Sequence, residues 1–300
     1  MKQIDERVQL LNDKPENNDG KYVLYWMQMF KRSSYNHALN YAIRQANERN
    51  LPLVVYEGLK FYYPWASDRF HTFILEGIEE KRKAFARLGI RYLFYLQQDK
   101  NSPKQTVARL AKDAALIVTD DFPCFIIPDH NAAIVEKAEI PVYAVDSNGL
   151  IPLSKYEKEE FAARTIRPKI KKILPDYFVE FAEEKIAVKA PNLELDCPET
   201  KVTGKNIAKL VAGCDIDHSV APSDIYHGGE ANGRERLKYF IENILPGYDV
   251  SRNKPEFDGS SRLSSYLHFG FLSPLEIALA VRDADVPQAS KDAYLEELIV

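Results

Sequence analysis

The densest group of chemically useful side chains lies between Gly259 and Gly270. This segment reads Gly-Ser-Ser-Arg-Leu-Ser-Ser-Tyr-Leu-His-Phe-Gly, so four hydroxyls and one guanidinium surround a single leucine. Serine at a helix start can accept a hydrogen bond from a free backbone N–H group. Those N–H groups, with hydroxyl donors beside them, can instead bind a phosphate or diphosphate. The residues alone leave both interpretations open and favour capping.

Other segments are candidates for phosphate or metal chemistry. Upstream, Tyr248 and Arg252-Asn253-Lys254-Pro255 combine an aromatic ring with two cations, which suits a phosphate or a nucleic-acid backbone, although a solvated charged loop is the alternative. Thr203-Gly204-Lys205-Asn206 lacks the glycine and hydroxyl of a Walker loop. Asp215-Ile216-Asp217-His218 is typical of a polar turn. We therefore predict no metal site.

The elements that must position these residues fall into two regions. Apolar runs that read as buried strands occupy 22–27, 51–57, 90–96, 115–119 and 141–145, and helical patterns occupy 35–50, 68–88, 103–113 and 129–138. Nearly continuous apolar strands that alternate with helices are typical of a parallel sheet covered on both faces. The pattern predicts an α/β domain over 1–150 with a Rossmann-like, doubly wound parallel sheet.

The second region is predicted to be helical. Residues 151–221 read as an interdomain linker with a helix over 157–186 and a short helix near 203–212. From 222 to 300 the apolar spacing is that of helices. The sequence ends within such a pattern without a stop signal, so we expect this helical domain to be incomplete.

Composition narrows the class of protein. The 300 residues are 45% hydrophobic with a net charge of -4, so a nucleic-acid partner would have to meet a local basic face. Three scattered cysteines without a C-x-x-C pair fit a reducing compartment. No apolar run reaches the ~20 residues that a membrane helix needs. We expect a cytoplasmic protein that does not act in a membrane.

A series of short motifs runs through the chain in a fixed order. They are Tyr25-Trp26-Met27-Gln28, Tyr35-Asn36-His37-Ala38-Leu39, Val118-Thr119-Asp120, Ala163-Arg164-Thr165-Ile166-Arg167-Pro168-Lys169-Ile170, Tyr226-His227-Gly228-Gly229-Glu230, Arg236-Leu237, Tyr266-Leu267-His268-Phe269-Gly270 and Glu296-Glu297-Leu298-Ile299-Val300. Together with the hydroxyl-rich segment they resemble the class II cyclobutane pyrimidine dimer photolyases of the photolyase/cryptochrome family.

The resemblance implies an all-helical domain that binds FAD, and a role for several residues. The family's diphosphate-binding turn falls on five consecutive residues, Ser260, Ser261, Arg262, Leu263 and Ser264. Its other cofactor contacts fall on Tyr248 and Tyr294. A substrate-contacting arginine falls on Arg252, with Lys254 as a second phosphate contact, and the carboxylate that acts on the dimer falls on Glu297.

The implied reaction is light-dependent repair of UV-damaged DNA, in which excited reduced FAD gives one electron to the dimer. Relatives suggest an 8-hydroxydeazaflavin antenna, and we expect a monomer that associates with the nucleoid when bound to DNA. Two segments depart from the family. Gln28-Met29-Phe30-Lys31 replaces an arginine-rich stretch, and Ser265 stands where proline is usual.

The tryptophan relay of the family would lie after Val300, because Trp26 and Trp65 are the only tryptophans and both precede the linker. We therefore expect this chain alone to be inactive. Two alternatives remain from the sequence. One is a cryptochrome-like blue-light sensor, and the other is a non-enzymatic nucleotide-binding or scaffold protein.

Overall fold

The protein consists of a six-stranded sheet, with helices on it, followed by a group of helices. A computed structural model describes residues 6–300. The strands are β1 Val8–Leu10, β2 Tyr22–Met27, β3 Leu53–Lys60, β4 Arg91–Gln97, β5 Ala114–Asp121 and β6 Val142–Asp146. Their order in the sheet is β1-β6-β5-β2-β3-β4. Five strands are parallel, and β1 pairs antiparallel with β6. The predicted doubly wound α/β sheet is confirmed.

The parallel strands are buried on both faces, which explains their continuous apolar sequences. In β2, Val23, Tyr25 and Met27 face one core, while Tyr22 and Leu24 face the other. Side chains alternate between the two faces of a strand, so a strand covered on both sides needs apolar residues at every position.

Twelve α-helices accompany the sheet in the described part of the chain. They are α1 His37–Glu48, α2 Asp68–Glu76, α3 Ile78–Leu88, α4 Thr106–Ala111, α5 Ile127–Val135, α6 Ala163–Ile173, α7 Ile207–Ala212, α8 Glu230–Asn243, α9 Tyr248–Ser251, α10 Ser264–His268, α11 Pro274–Asp283 and α12 Gln288–Ile299. The single helix predicted over 68–88 is two, because Gly77 ends α2 and precedes α3.

The helix predicted over 157–186 is wrong for most of its length. Only α6 and a short 3₁₀ turn at Leu174–Asp176 form there. Beyond that turn the chain runs along α1, where two asparagine side chains bind its backbone. Asn40 pairs with the Ala182 carbonyl and the Glu184 N–H, and Asn47 binds the segment at Lys185 and Ala187 in the same way. These tertiary hydrogen bonds replace those of a helix.

The helices after the linker pack around their own core. Phe240 of α8 and Phe271 before α11 are fully buried, and Tyr266 of α10 lies with them. Tyr294 of α12 contacts the Phe240 ring, with centroids 4.5 Å apart. This core holds the hydroxyl-rich turn between two helices of the group.

The two regions meet at a tight seam. Fully buried Arg32, in the loop after β2, donates to the carbonyl of Gly270 at 3.3 Å and to that of Ser147 at 3.0 Å. Gly270 has a φ of +70°, and a Cβ on it would lie 1.8 Å from the Met29 carbonyl oxygen. A Cβ on Gly228 would lie 1.7 Å from the Phe73 carbonyl oxygen. Only glycine fits at either position.

Domain boundaries at 150 and 222 stay predictions. Within residues 6–300, none of the helices combines the length and the apolar character needed to cross a membrane.

Candidate functional site

The hydroxyl-rich turn lines a cavity of about 440 Å³ between the two regions. The turn contributes Ser260, Arg262, Ser264 and Ser265. The opposite wall is built by α2 and by the segment before α8. Its residues are Arg69, Phe70, Thr72, Phe73, Glu76, Ser223 and Tyr226, and Phe269 completes the lining. The cavity is therefore rich in hydroxyl donors and has two guanidinium groups at its wall.

The serines of the turn do not cap the helix that follows them. Leu263 occupies the cap position of α10, and no side chain accepts a hydrogen bond there. From the backbone, Ser261 Oγ accepts a long 3.4 Å contact from the Leu263 N–H group. The capping interpretation is therefore wrong, because the serine hydroxyls are not consumed by the backbone of α10.

Two polar side chains of the turn, Ser265 and Arg262, have unusual environments. The Ser265 Oγ atom is buried and has no hydrogen-bond partner among the described residues. Arg262 has a left-handed backbone with a φ of +55°, which costs a non-glycine residue energy and is common where function requires a particular geometry. Its guanidinium binds Asp258 through Nε at 2.9 Å and Nη2 at 2.8 Å, which fixes its orientation.

The charges around the cavity favour an anion. Arg69 and Arg262 line it, against the single lining carboxylate of Glu76, and Asp258 outside the lining is already paired with Arg262. That carboxylate already accepts from the Gly228 N–H at 2.6 Å and contacts His227 Nδ1 at 3.0 Å. Sequence reasoning missed Arg69, because it lies on a helix of the α/β region far earlier in the chain.

A second set of predicted residues lies on α9 and α12. Arg252 Nη1 donates to Glu297 Oε1 at 2.8 Å and to the Ala293 carbonyl at 3.1 Å. Its Nε atom is buried without a partner in the described structure. The Glu297 side chain is 61% exposed, so its carboxylate faces outward from the helices beside a fixed cation. Lys254 is exposed and sits over the Phe257 ring.

The remaining predicted cofactor residues are buried in the core of the helices that follow the linker. Tyr248 and Tyr294 pack edge to face, with centroids 5.3 Å apart. Burial raises the pKa of Tyr294 to about 12, and a hydrogen bond with Ser261 acts in the opposite direction. Leu263 lies wholly in the helical core. Arg252 and Glu297 do not line the cavity, and the two places are connected through the shared helical core and the hydrogen bond between Tyr294 and Ser261.

A third polar group lies at the carboxyl end of the parallel strands. The buried Asp120 carboxylate accepts from Tyr25 Oη at 2.6 Å and from three consecutive N–H groups, those of Gln28, Met29 and Phe30, at 2.7–3.0 Å. Burial raises the pKa of Asp120, and these hydrogen bonds oppose that shift. They anchor the loop that follows β2, because every N–H group at its start is bound.

His130 continues this polar group. Its Nδ1 atom lies 2.8 Å from Gln28 Oε1, and its Nε2 atom lies 2.9 Å from Lys60 Nζ. Burial lowers the pKa of His130 to about 4, and the Lys60 ammonium acts in the same direction. The imidazole is therefore neutral near pH 7. Next to this group is a cavity of about 330 Å³, lined in part by Asp121, Phe122 and Asn131.

The Asp215–His218 turn has no arrangement for a metal. His218 uses one ring nitrogen on Asp68 at 2.7 Å and the other on the Cys214 carbonyl at 3.0 Å. Across the part of the chain that the structure describes, no group of three or more His, Cys, Asp or Glu side chains could hold a metal ion.

Curated sequences with a known name resemble this chain over nearly all of its length. The deoxyribodipyrimidine photo-lyase of Methanothermobacter thermautotrophicus is 33% identical over 297 residues, which are 98% of this chain and 63% of the relative. The enzyme of the same name from Arabidopsis thaliana is 33% identical and covers 93% of this chain and 57% of the relative. The chain thus spans about three-fifths of the length of these relatives.

Solved structures share the fold at lower identity. A class III photolyase from Agrobacterium tumefaciens superimposes with a TM-score of 0.66 at 16% identity, over 93% of this chain and 57% of that one. A Sulfolobus tokodaii photolyase with two FAD molecules gives 0.61 at 17% identity, over 92% and 56%. The DNA photolyase family model matches residues 23–189, which are more than half of the sequence. The chain therefore belongs to the DNA photolyase family.

Proposed function

We propose that this chain is part of a class II deoxyribodipyrimidine photo-lyase, a light-dependent enzyme that splits cyclobutane pyrimidine dimers in UV-damaged DNA. The observation that carries the proposal is the cavity beside the turn. Its serine hydroxyls and the Arg69 and Arg262 guanidiniums match the oxygens and the charge of a dinucleotide diphosphate. The named relatives support the reaction type.

The residues of the turn fit FAD. Ser260 and Ser264 offer exposed hydroxyls to phosphate oxygens, and Arg262 offers charge beside its ion pair with Asp258. When bound, FAD supplies the light-driven electron that opens the cyclobutane ring, since such chemistry belongs to the cofactor. The chain's own part is to hold the diphosphate and to exclude water from the seam between the two regions.

Arg252 and Glu297 would act on the DNA. Photolyases are among the enzymes that take their target base out of the stack, and a damaged base costs less to extrude. In this proposal Arg252 donates to a phosphate next to the lesion, and the Glu297 carboxylate accepts a hydrogen bond from the dimer itself. Their 2.8 Å ion pair keeps both side chains oriented before DNA arrives.

We also infer an antenna chromophore of the 8-hydroxydeazaflavin type. The cavity lined by Asp121, Phe122 and Asn131 lies outside the carboxyl end of β5, where open parallel sheets bind their ligands. Added deazaflavin should then transfer excitation to FAD in the full-length protein. Unquenched deazaflavin fluorescence would exclude the antenna.

For the full-length protein we further propose a monomer in the cytoplasm that joins the nucleoid through DNA. Damaged DNA is its substrate, and the -4 net charge of the chain requires that it bind through a local face.

The experiment irradiates the full-length protein with dimer-containing DNA under blue light after flavin reduction, with a dark control. We expect dimers to disappear only in the light. A flavin-containing protein that leaves the dimers intact would be a light sensor. A protein that purifies without flavin would be the nucleotide-binding or scaffold protein.

A further inference from the structure

Helix α6 has one face in the protein core and one face in solvent. The inner face packs into a hydrophobic cluster that also includes the end of α12, and its residues are Ile166, Ile170 and Ile173. On the opposite side, Arg164 and Lys171 lie two turns apart along one line of the helix, and Lys172 lies next to them. All three cations are exposed. We call these three residues the α6 basic face.

The outer side of α6 concentrates positive charge that the protein itself does not neutralise. The helix contains five Arg and Lys side chains and no Asp or Glu, in a chain whose net charge is -4. Two of the five are paired, Arg167 with Glu296 and Lys169 with Glu160. In the described part of the chain, no ion pair or side-chain hydrogen bond engages the three residues of the α6 basic face. These three cations are therefore available to an anionic partner.

The α6 basic face lies beside the residues that we propose to act on DNA. Arg167 is about one helical turn from both Arg164 and Lys171, and its ion pair with Glu296 joins α6 to α12. The next residue of α12 is Glu297, the ion-pair partner of the proposed phosphate contact on α9. A duplex that reaches this ion pair therefore passes close to α6, because the two helices are joined at the neighbouring residue.

We propose that the α6 basic face is a second DNA-binding surface, whose cations bind phosphates of the duplex away from the lesion. This inference rests on the proposed function, which requires a local basic face in an acidic chain, and it assigns that face to named residues. From Arg164 to Lys172 the helix rises about 12 Å, which corresponds to about three to four nucleotides along one strand. The three cations can thus meet successive phosphates.

The buried side of α6 favours DNA over a lipid surface. A basic amphipathic helix also binds anionic membranes, but it does so by burying its apolar face among the lipids. In α6 that face is occupied by the protein core, where Ile170 is buried and Ile166 packs beside it. Binding to a phosphate backbone needs the cations alone, so it is compatible with a helix whose apolar side is already covered.

The test removes the charge of the α6 basic face in the full-length protein. The α6 triple variant combines Arg164→Gln, Lys171→Gln and Lys172→Gln. The control triple makes the same charge change at exposed positions before β4, β5 and β6, and it combines Arg87→Gln, Lys112→Gln and Lys137→Gln. Affinity is measured against salt concentration for a duplex with one dimer and for the same duplex without it.

We expect the α6 triple variant to reduce the slope of log affinity against log salt by about 2–3 for both duplexes, since each phosphate contact contributes about 0.9. Both affinities should fall by the same factor, about 10-fold or more at about 0.1 M salt. The preference for the dimer and the repair rate at saturating DNA should stay at wild-type values, because the contacts lie away from the lesion. The control triple should leave the slope nearly unchanged.

Three results would contradict this surface in a protein that repairs dimers, and they leave the photolyase proposal intact. They are an unaltered slope in the α6 triple variant, an equal change in the control triple, and a loss of affinity for the dimer-containing duplex alone. If DNA binding is unaltered but binding to vesicles of phosphatidylserine and phosphatidylcholine is lost, the partner is a membrane. If wild-type protein repairs no dimers but the slope falls for both duplexes, the proposed function fails and the DNA-binding surface stands.

Discussion

Two polar groups of the protein contrast in how their hydrogen bonds are used. Around Asp120, the carboxylate is fully paired, with Tyr25 and three consecutive backbone N–H groups as donors. Around the hydroxyl-rich turn, the Ser265 hydroxyl is unpaired and Ser260 and Ser264 are exposed to the cavity. Both groups lie in segments that stand out in the sequence. Only the hydroxyl-rich turn leaves hydroxyls open to a ligand.

The contrast separates two meanings of a polar motif. A fully paired buried carboxylate stabilises one backbone conformation, and its removal should affect folding. A group of donors held in place without partners contributes little to folding and should affect binding. Each prediction below tests one side of this distinction.

The largest effect is expected at Asp120. Asp120→Ala leaves the buried Tyr25 hydroxyl, two buried N–H groups and one partly buried N–H group without an acceptor, so the free energy of unfolding should fall by about 3–5 kcal/mol. Urea unfolding measures this change. Tyr25→Phe, which removes one donor and keeps the carboxylate, should cost markedly less. Similar losses for the two variants would contradict the structural role of Asp120.

At the hydroxyl-rich turn we expect an effect on cofactor binding and not on folding. Replacement of Ser260 and Ser261 together by leucine should lower FAD affinity about 10- to 100-fold in the full-length protein, because hydroxyl donors to a charged diphosphate are lost. Flavin absorbance after gel filtration measures retention. Ser219→Leu, on an exposed loop, is the matched control. Wild-type flavin content in the double variant would remove the turn from the cofactor site.

The stability of the α/β region should also depend on pH, because three of its histidines are buried. Burial lowers the pKa of His71 and of His130 to about 4, and that of His37 well below its usual value. An unfolded histidine titrates near 6.5, so between about pH 6.5 and 4 the unfolded chain binds more protons.

Stability should therefore fall as the pH drops through that window, by at most about 1.4 kcal/mol per pH unit for each histidine. Urea unfolding at about pH 7 and about pH 5 tests this, with His130→Gln as the variant that flattens the dependence. An identical slope in His130→Gln would show that His130 is not buried in its neutral form.

The smallest effect is expected at Arg252. Arg252→Ala should weaken binding to dimer-containing DNA and reduce the slope of log affinity against log salt by about 1, as one phosphate contact is lost. Lys201→Ala, an exposed lysine in the linker, makes the same charge change elsewhere and should leave the slope nearly unchanged. An unaltered slope for Arg252→Ala would end its assignment as a phosphate contact.

Much of the fold could be predicted because strands buried on both faces have a simple apolar sequence. The three-residue edge strand β1 has no such signal, and it forms because its backbone pairs with β6. The helix predicted over 157–186 failed for a similar reason, since Asn40 and Asn47 bind that backbone from another element.

For the candidate site, the local sequence identified the hydroxyl-rich turn but not the residues of the opposite cavity wall. The four serines and Arg262 are adjacent in sequence, so their chemistry could be read directly. Arg69 and Thr72 reach the same cavity only because α2 packs against the helices that follow the linker. No pattern within α2 distinguishes these two residues from an ordinary solvated helix face.

The glycines at the seam have a consequence for how the molecule can move. With the Gly228 and Gly270 backbones in direct contact with the chain opposite, and Phe73 packed against the rings of Phe269 and Phe271, the two regions cannot slide freely past each other. Calorimetry should record a single melting transition for both regions. An antenna bound in the α/β region, as proposed above, would then keep a constant distance and orientation to a flavin bound in the helical region.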